Sequence, residues 1–292
     1  MERGSTSWKC IKEKIMSTIT PLTKIDAFSA TCPDITTYVK DESANPYGTI
    51  KDRRNENIVR EALRLGVDKL TLITSGNNGY SLSKLTSGSD IKVTCIIDKT
   101  TSDDIYKRLS EVAYQVIRIN LRDKILRPEE IISFARERDD EVIWDVTNGY
   151  EESYGIVVNE ILAQAPKVDY IVVPLGSGGI FVGIAEQLHM SNHHAKIIGI
   201  GPKTNHGSFA DKLSTPWTPY AKAIEIYERH GHITIQLPES EIRKAYSNYR
   251  TICNCEPSSA IVFAAPENFE FKKGDSVVFI NSGNSETMKF PV

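Results

Sequence analysis

No stretch of this 292-residue sequence approaches the roughly 20 consecutive apolar residues that span a bilayer. The opening residues, Met1-Glu2-Arg3-Gly4-Ser5-Thr6-Ser7-Trp8-Lys9, lack the apolar heart of a secretory leader. Met16 offers a second start, behind which the first fifteen residues would be an extension. An excess of one charge is also missing: 35 basic against 38 acidic residues leave a formal net charge of −3. The basic run Lys51-Asp52-Arg53-Arg54 is short and followed at once by Glu56, so nothing tracks a phosphate backbone and nucleic acid is not an expected partner. There is no repeat and no low-complexity linker. Cysteine is sparse and odd in number, and Cys10, Cys32, Cys95, Cys253 and Cys255 show no framework spacing, as for reduced thiols in a cytoplasmic protein. Cys253-Asn254-Cys255 has no second His or Cys pair to complete a four-ligand set, so no metal is expected. His193, His194, His230 and His232 fall in polar turns or beside Gly231 and read as solvated loop residues.

What is present is an ordinary globular composition, 40% hydrophobic and 25% charged. The length is near that at which one core splits into two lobes, and a cleft between lobes is the default place for a small-molecule site. Short β-rich runs are expected as strands at Thr36–Lys40, Lys69–Thr74, Lys92–Ile97, Gln115–Ile119, Val142–Val146, Tyr170–Pro174, Lys196–Ile200, Ile233–Leu237 and Val277–Ile280. Amphipathic segments between them, among them Asp52–Leu65, Asp103–Val112, Pro128–Arg138, Tyr154–Ala163, Gly179–His189 and Glu239–Asn248, are expected as helices. Pro128-Glu129-Glu130 starts a helix well, and Leu65-Gly66 stops one. The alternation predicts an α/β fold with mostly parallel sheets, and unbroken runs such as Ile171-Val172-Val173 fit strands covered on both faces. A lobe boundary is expected near residues 147–154.

Ligands of α/β sheets gather where parallel strands run into helices, and four such loops carry unusual chemistry. In Lys40–Arg53 a Pro46-Tyr47-Gly48 turn leads to Lys51 where a helix begins, in a dipole field that disfavours the ammonium and favours a nucleophilic amine. The plain alternative is an exposed lysine beside Asp52. Thr74-Ser75-Gly76-Asn77-Asn78-Gly79 offers N–H, hydroxyl and amide groups suited to a carboxylate or a phenolic oxygen, or is an ordinary turn. Pro174-Leu175-Gly176-Ser177-Gly178-Gly179-Ile180 has the strand, glycine loop and helix order that cradles a phosphate, or is a close-packed turn. It matches neither the dinucleotide spacing nor the P-loop, which removes a dinucleotide oxidoreductase from contention. In Val278-Phe279-Ile280-Asn281-Ser282-Gly283, Ser282 closes the last strand and has one hydrogen bond to offer a ring.

In order and spacing the four loops resemble the fold-type II pyridoxal-phosphate enzymes, the tryptophan synthase β-like family of cysteine synthase, threonine synthase and the serine/threonine dehydratases. The resemblance runs over about residues 20–285. It is most specific at Lys40–Arg53, which is similar to the threonine-synthase form K-D-E-x-x-N-P-T-G-S-F-K-D-R, and at Glu256-Pro257-Ser258-Ser259-Ala260. It implies a two-lobed, three-layer αβα enzyme with pyridoxal 5'-phosphate as cofactor. Residues 35–147 would form the smaller lobe, and residues 1–34 with 148–292 the larger, with the cofactor between them. Lys51 would be the catalytic lysine that carries the cofactor as a Schiff base and then moves the Cα proton. Asn77 would bond the phenolic oxygen, and Ser75, Gly76, Asn77 and Asn78 the substrate carboxylate. Gly176, Ser177, Gly178 and Gly179 would hold the phosphate, and Ser282 would face the pyridine nitrogen. A neutral hydroxyl there does not enforce ring protonation as an aspartate does, which favours elimination or replacement over transamination.

The resemblance further implies a homodimer, no membrane, and a small amino acid as substrate. The activity it implies is a lyase or transferase acting at the β or γ carbon, threonine synthase-like. β-Replacement on an activated serine, cysteine synthase-like, is the first alternative, and a non-catalytic protein that binds the cofactor or an amino acid the second. Ile180 stands where many relatives place a threonine, Tyr47, Thr49 and Asn78 also depart from the pattern, and Asn148–Tyr154 matches neither branch. Arg53 and Arg54 are the nearest candidates for a substrate phosphate.

Overall fold

The computed structural model describes residues 18–29, 32–121, 124–204, 207–213, 215 and 218–284. Its strands and principal helices follow in chain order as β1 (Leu22–Ile25), β2 (Thr36–Asp41), α1 (Lys51–Leu65), β3 (Lys69–Ile73), α2 (Asn77–Thr86), β4 (Lys92–Asp98), α3 (Asp103–Val112), β5 (Gln115–Ile119), α4 (Pro128–Ala135) and β6 (Ile143–Asp145). The second half continues with α5 (Gly155–Gln164), β7 (Tyr170–Pro174), α6 (Gly179–Met190), β8 (Lys196–Pro202), α7 (Ala221–Arg229), β9 (Ile233–Leu237), α8 (Glu239–Cys253), two single turns α9 (Pro257–Ala260) and α10 (Ala265–Asn268), and β10 (Ser276–Asn281). The chain divides into two compact units, one holding Lys51–Tyr150 and the other the described residues of Ile19–Ile50 and Glu151–Lys289.

The unit of Lys51–Tyr150 is built on a four-stranded parallel sheet in the order β5-β4-β3-β6. β3 and β4 are its buried centre, with Leu70, Leu72, Cys95, Ile96 and Ile97 fully covered. α1 buries Ile58, Val59 and Ala62, which recur at helical spacing, and Gly66 with φ +71° ends it in the left-handed conformation.

The other unit is built on a six-stranded sheet, β1-β2-β10-β7-β8-β9, parallel throughout except for the antiparallel edge strand β1. Alternate side chains of its central strands serve two separate cores. Ile171, Val173, Val278 and Ile280 join Val157, Ile161, Phe181 and Ile184 of α5 and α6 on one face. Val172, Val277 and Phe279 join Phe28, Ile242 of α8 and Phe263 on the other. That is a three-layer αβα arrangement, and it explains why the strand sequences do not alternate with polar residues.

The expected α/β class with mostly parallel sheets is the observed one. β5, β7, β9 and α3 have the expected bounds. β1 escaped the pattern because Leu22-Thr23-Lys24-Ile25 lies at an edge and buries little. The helix from Pro128 stops at Ala135 and not at Arg138, because Glu141 Oε2 takes the N–H groups of Glu137 (2.9 Å) and Arg138 (3.2 Å). The lobe limit expected at residue 35 differs from the observed division, since β2 is hydrogen-bonded to β10 along its whole length and so belongs with the six-stranded sheet. His232 is buried and not solvated: its ring lies against Phe181 and Tyr227, and its Nδ1 accepts the Ile197 N–H at 3.0 Å. No helix among the described residues is long and apolar enough to cross a membrane. Among them also, no group of three or more His, Cys, Asp or Glu is arranged to hold a metal.

Candidate active site

In the unit of Lys51–Tyr150, Lys51 is the first residue of α1 and is half-buried. Asp52 beside it is buried, so it is not the surface partner that an exposed-lysine reading requires. Its Oδ1 accepts the hydroxyl of Ser81 on α2 at 2.5 Å. Asn55, one turn along α1, donates to Ser81 Oγ (2.9 Å) and to the carbonyl of Asn78 (3.1 Å). A buried polar chain thus ties the first turn of α1 to the first turn of α2.

The loop leading into α2 is wound around Thr74, whose Oγ1 accepts the N–H groups of Gly76 and Gly79, both at 3.1 Å. Gly76 takes φ +137°. A Cβ on Gly79 would lie 2.7 Å from Thr74 Cγ2 and 2.8 Å from Cys95 Sγ, so only glycine fits. Asn77 opens α2, no side chain caps its N-terminus, and Asn78 Oδ1 is buried without a hydrogen-bond donor. Ser75, Gly76, Asn77 and Asn78 are therefore gathered at a helix N-terminus whose first N–H groups have no intrahelical acceptor. Arg54 is committed elsewhere in the same unit. Its buried guanidinium donates to the carbonyls of Val146 (2.6 Å) and Gly149 (2.7 Å), and holds the loop after β6 in which Tyr150 takes φ +64°. Arg53 is also buried, so neither arginine is a free cation for a substrate phosphate.

In the other unit the glycine loop follows β7 directly. The Leu175 N–H is spent on Ile200 O at 2.7 Å. Gly178 takes φ +101°, and a Cβ there would lie 2.9 Å from Ile224 Cδ1. Gly179 begins the twelve-residue α6, which no side chain caps, so its leading N–H groups face the loop without intrahelical partners. Backbone donors left open in this way at a helix N-terminus suit an anion. Ile180 buries its side chain in the core and adds no hydroxyl. Glu151 and Tyr220 flank the loop: Tyr220 donates its hydroxyl to Glu151 Oε1, and Glu151 Cγ lies 3.3 Å from where a Cβ on Gly179 would be. Neither was visible in sequence, because they meet across 69 residues.

Parallel pairing of β10 with β7 brings Ser282 and the glycine loop to the same end of the sheet. Ser282 is almost fully buried. Its carbonyl accepts the Ile50 N–H (2.9 Å) and the Thr49 hydroxyl (3.3 Å), and its Oγ lies 2.8 Å from Ser259 Oγ. The Lys40 motif has a different part in this unit. Lys40 is fully buried and donates to Glu160 Oε2 (2.6 Å) and Thr20 O (2.7 Å), while Glu42 accepts the Asn45 amide at 2.8 Å and the Thr20 hydroxyl at 2.5 Å. Lys40, Glu42 and Asn45 anchor the chain before Lys51.

Each unit thus carries an uncapped helix N-terminus at the end of a parallel strand, one with Lys51 opening a helix and the other with a buried Ser282 following a strand. The chain belongs to the pyridoxal-phosphate dependent enzyme family, whose model matches residues 16–283. Pyridoxal phosphate is the cofactor of that family. Cystathionine beta-synthase of Apis mellifera is 30% identical over 189 residues, 61% of this chain and 37% of that protein. An L-serine dehydratase of Saccharomyces cerevisiae is 28% identical over 189 residues, 56% of this chain and 54% of its own. The chain thus spans about a third to a half of the length of these curated relatives. Among solved structures, a pyridoxal 5'-phosphate-dependent aspartate racemase superposes with a TM-score of 0.77 at 18% identity, covering 96% of both chains. Serine racemase from Dictyostelium discoideum gives 0.75 at 20%, covering 96% of this chain and 98% of its own. These two likenesses establish the fold.

Proposed function

We propose that the protein eliminates or replaces the substituent at the β carbon of a small amino acid of the serine class. The observation that carries the reading is Lys51 at the head of α1, with that first turn locked through Asp52, Ser81 and Asn55 to the asparagine loop. Bound pyridoxal phosphate would act as the electron sink that makes the Cα proton removable. Lys51 would hold the cofactor covalently and, once displaced by the substrate amine, take the proton from Cα and return one to the departing group. Ser75, Gly76, Asn77 and Asn78 would bind the substrate carboxylate through the N-terminus of α2, with the Asn77 amide on the phenolic oxygen. Gly176, Ser177, Gly178 and Gly179 would hold the phosphate through backbone N–H groups, and Ser282 would meet the ring nitrogen. The buried donors and acceptors described above, each taken within its own unit, support this reading.

The threonine synthase-like reading is the finer alternative and rests on the Lys40–Arg53 motif. Lys40, Glu42 and Asn45 are used as scaffold, and Arg53 and Arg54 are buried, so the motif positions the catalytic lysine without specifying a phosphorylated substrate. That weighs toward serine and activated serines.

The test is a product assay on the cofactor-loaded protein with L-serine or O-acetylserine, with and without a thiol, against phosphohomoserine. We expect ammonia and a keto acid without thiol or a thioether with it, and a loss of about 10³-fold or more in Lys51→Ala. Threonine from phosphohomoserine alone would transfer the protein to the γ-replacing branch. Cofactor binding with no turnover of any of these would make it a non-catalytic binder.

A further inference from the structure

Ser282 has a single hydroxyl proton, and its direction decides which form of the ring nitrogen it stabilises. A hydroxyl that aims its proton at the ring favours the neutral nitrogen, whereas one that aims it away offers only lone pairs and favours the N–H form. A second hydroxyl sets that direction. Ser259 is completely buried in α9, where Pro257 starts the turn and the Ser259 N–H is bonded to Glu256 O at 2.9 Å. Its Oγ lies 3.0 Å from the carbonyl of Gly283 and 2.8 Å from Ser282 Oγ.

A carbonyl can only accept, so the Ser259 proton goes to Gly283 O, and the contact between the two hydroxyls is then a hydrogen bond only if Ser282 donates. The opposite polarity would leave the buried Gly283 carbonyl with one longer bond, from Glu256 N at 3.3 Å. That forfeits a buried hydrogen bond with nothing gained elsewhere. We infer that Ser259 is a positioning residue that takes the Ser282 proton and so presents Ser282 Oγ to the cofactor as a pure acceptor, holding the ring nitrogen protonated. The inference rests on the proposed placement of Ser282 against that nitrogen. Its consequence is chemical: a serine in this place, relayed through Ser259, supports a stronger electron sink than a lone hydroxyl, and carbanion chemistry at Cα gains accordingly.

The experiment is nitrogen NMR of the full chain loaded with pyridoxal phosphate carrying ¹⁵N in the ring, without substrate and at one neutral pH. In the wild type the resonance should lie at the protonated position. In Ser259→Ala the Ser282 proton is released toward the ring, and the ratio of protonated to neutral nitrogen should fall about tenfold, the equivalent of about 1.4 kcal/mol. Ser259→Cys fills the space with a weak hydrogen-bonding group and should move the ratio the same way, so it serves if the alanine variant folds poorly. A neutral resonance in the wild type would overturn the inference, because Ser259 would then be the donor to Ser282. A resonance unmoved in both Ser259 variants but moved in Ser282→Ala would also overturn it, while leaving Ser282 as the ring partner. If Ser282→Ala too leaves the resonance unmoved, the placement of Ser282 itself fails.

Discussion

Gly178 sits at φ +101° with Ile224 and Tyr220 packed where a side chain would go. A side chain there costs about 1–3 kcal/mol of backbone strain, together with any shift of Ile224. Gly178→Ala should therefore weaken pyridoxal phosphate binding by about tenfold or more in a fluorescence titration, with the fold retained by circular dichroism; unchanged affinity would separate this loop from the phosphate. His232 carries a different prediction. Burial, with Lys196 and His230 nearby, depresses its imidazole from 6.5 to about 4. The unfolded chain takes up this proton below about 6.5 and the folded chain only near 4, so the stability it contributes is complete above 6.5 and drains away as pH falls through that window, by about 1 kcal/mol per pH unit. Melting temperatures at pH 7.5 and 5 should differ less in His232→Asn, whose amide oxygen can still accept the Ile197 N–H. Lys51, Asn77 and Gly178 are candidates legible in sequence because each lies in a loop between a strand and a helix, within a few residues of its own signal. Glu151 and Tyr220 are not, because they meet across 69 residues, and Ser259, although it lies in the Glu256–Ala260 stretch, gives no sign of its partner 23 residues away. The burial of His232 is hidden for a related reason: a histidine after Gly231 has the local look of a turn residue, and only the folding of α6 and α7 brings Phe181 and Tyr227 against its ring.

Between elements, two buried polar systems hold the candidate residues in place. One joins α1 to α2 through Asp52, Ser81 and Asn55. Removing the Ser81 hydroxyl strips a hydrogen bond from the Asp52 carboxylate and another from the Asn55 amide, both buried. Ser81→Ala should cost about 2–3 kcal/mol in urea denaturation and loosen cofactor binding as well. A stability loss with unchanged cofactor affinity would show that the link braces α1 without positioning Lys51. The other system is Lys40 with Glu160, Thr20 and Glu42. Breaking a buried ion pair from one side costs about 3–5 kcal/mol, so Lys40→Met should destabilise the protein by that order, measurably more than Lys40→Met combined with Glu160→Leu. The Lys40 motif was the strongest sign of family in the sequence, yet its lysine and glutamate work as scaffold, and a pattern of letters does not distinguish a buried anchor from a reacting group. Helix starts and stops were read from Pro128 and Gly66, which act locally. The early end of α4 was not, because it is set by Glu141 reaching back.

At the scale of the whole chain, the alternation of strands and helices sufficed to predict parallel sheets, since each crossover returns the next strand in the same direction. It did not predict how strands are shared between the two sheets. β2 pairs with β10, 240 residues away, so residues 36–41 lie in the six-stranded sheet despite preceding α1 in the chain. Solved structures only 18–20% identical to this chain keep the same fold at TM-scores of 0.75–0.77, so the layered arrangement survives the exchange of most side chains. The claim on which everything else depends is that one lysine carries the cofactor. Reduction of the cofactor-loaded protein with borohydride, followed by peptide mass mapping, tests it directly. One pyridoxyl-modified peptide, containing Lys51, is expected, with no modification of that peptide in Lys51→Ala. A label on any other lysine, or none after loading and reduction, would contradict it.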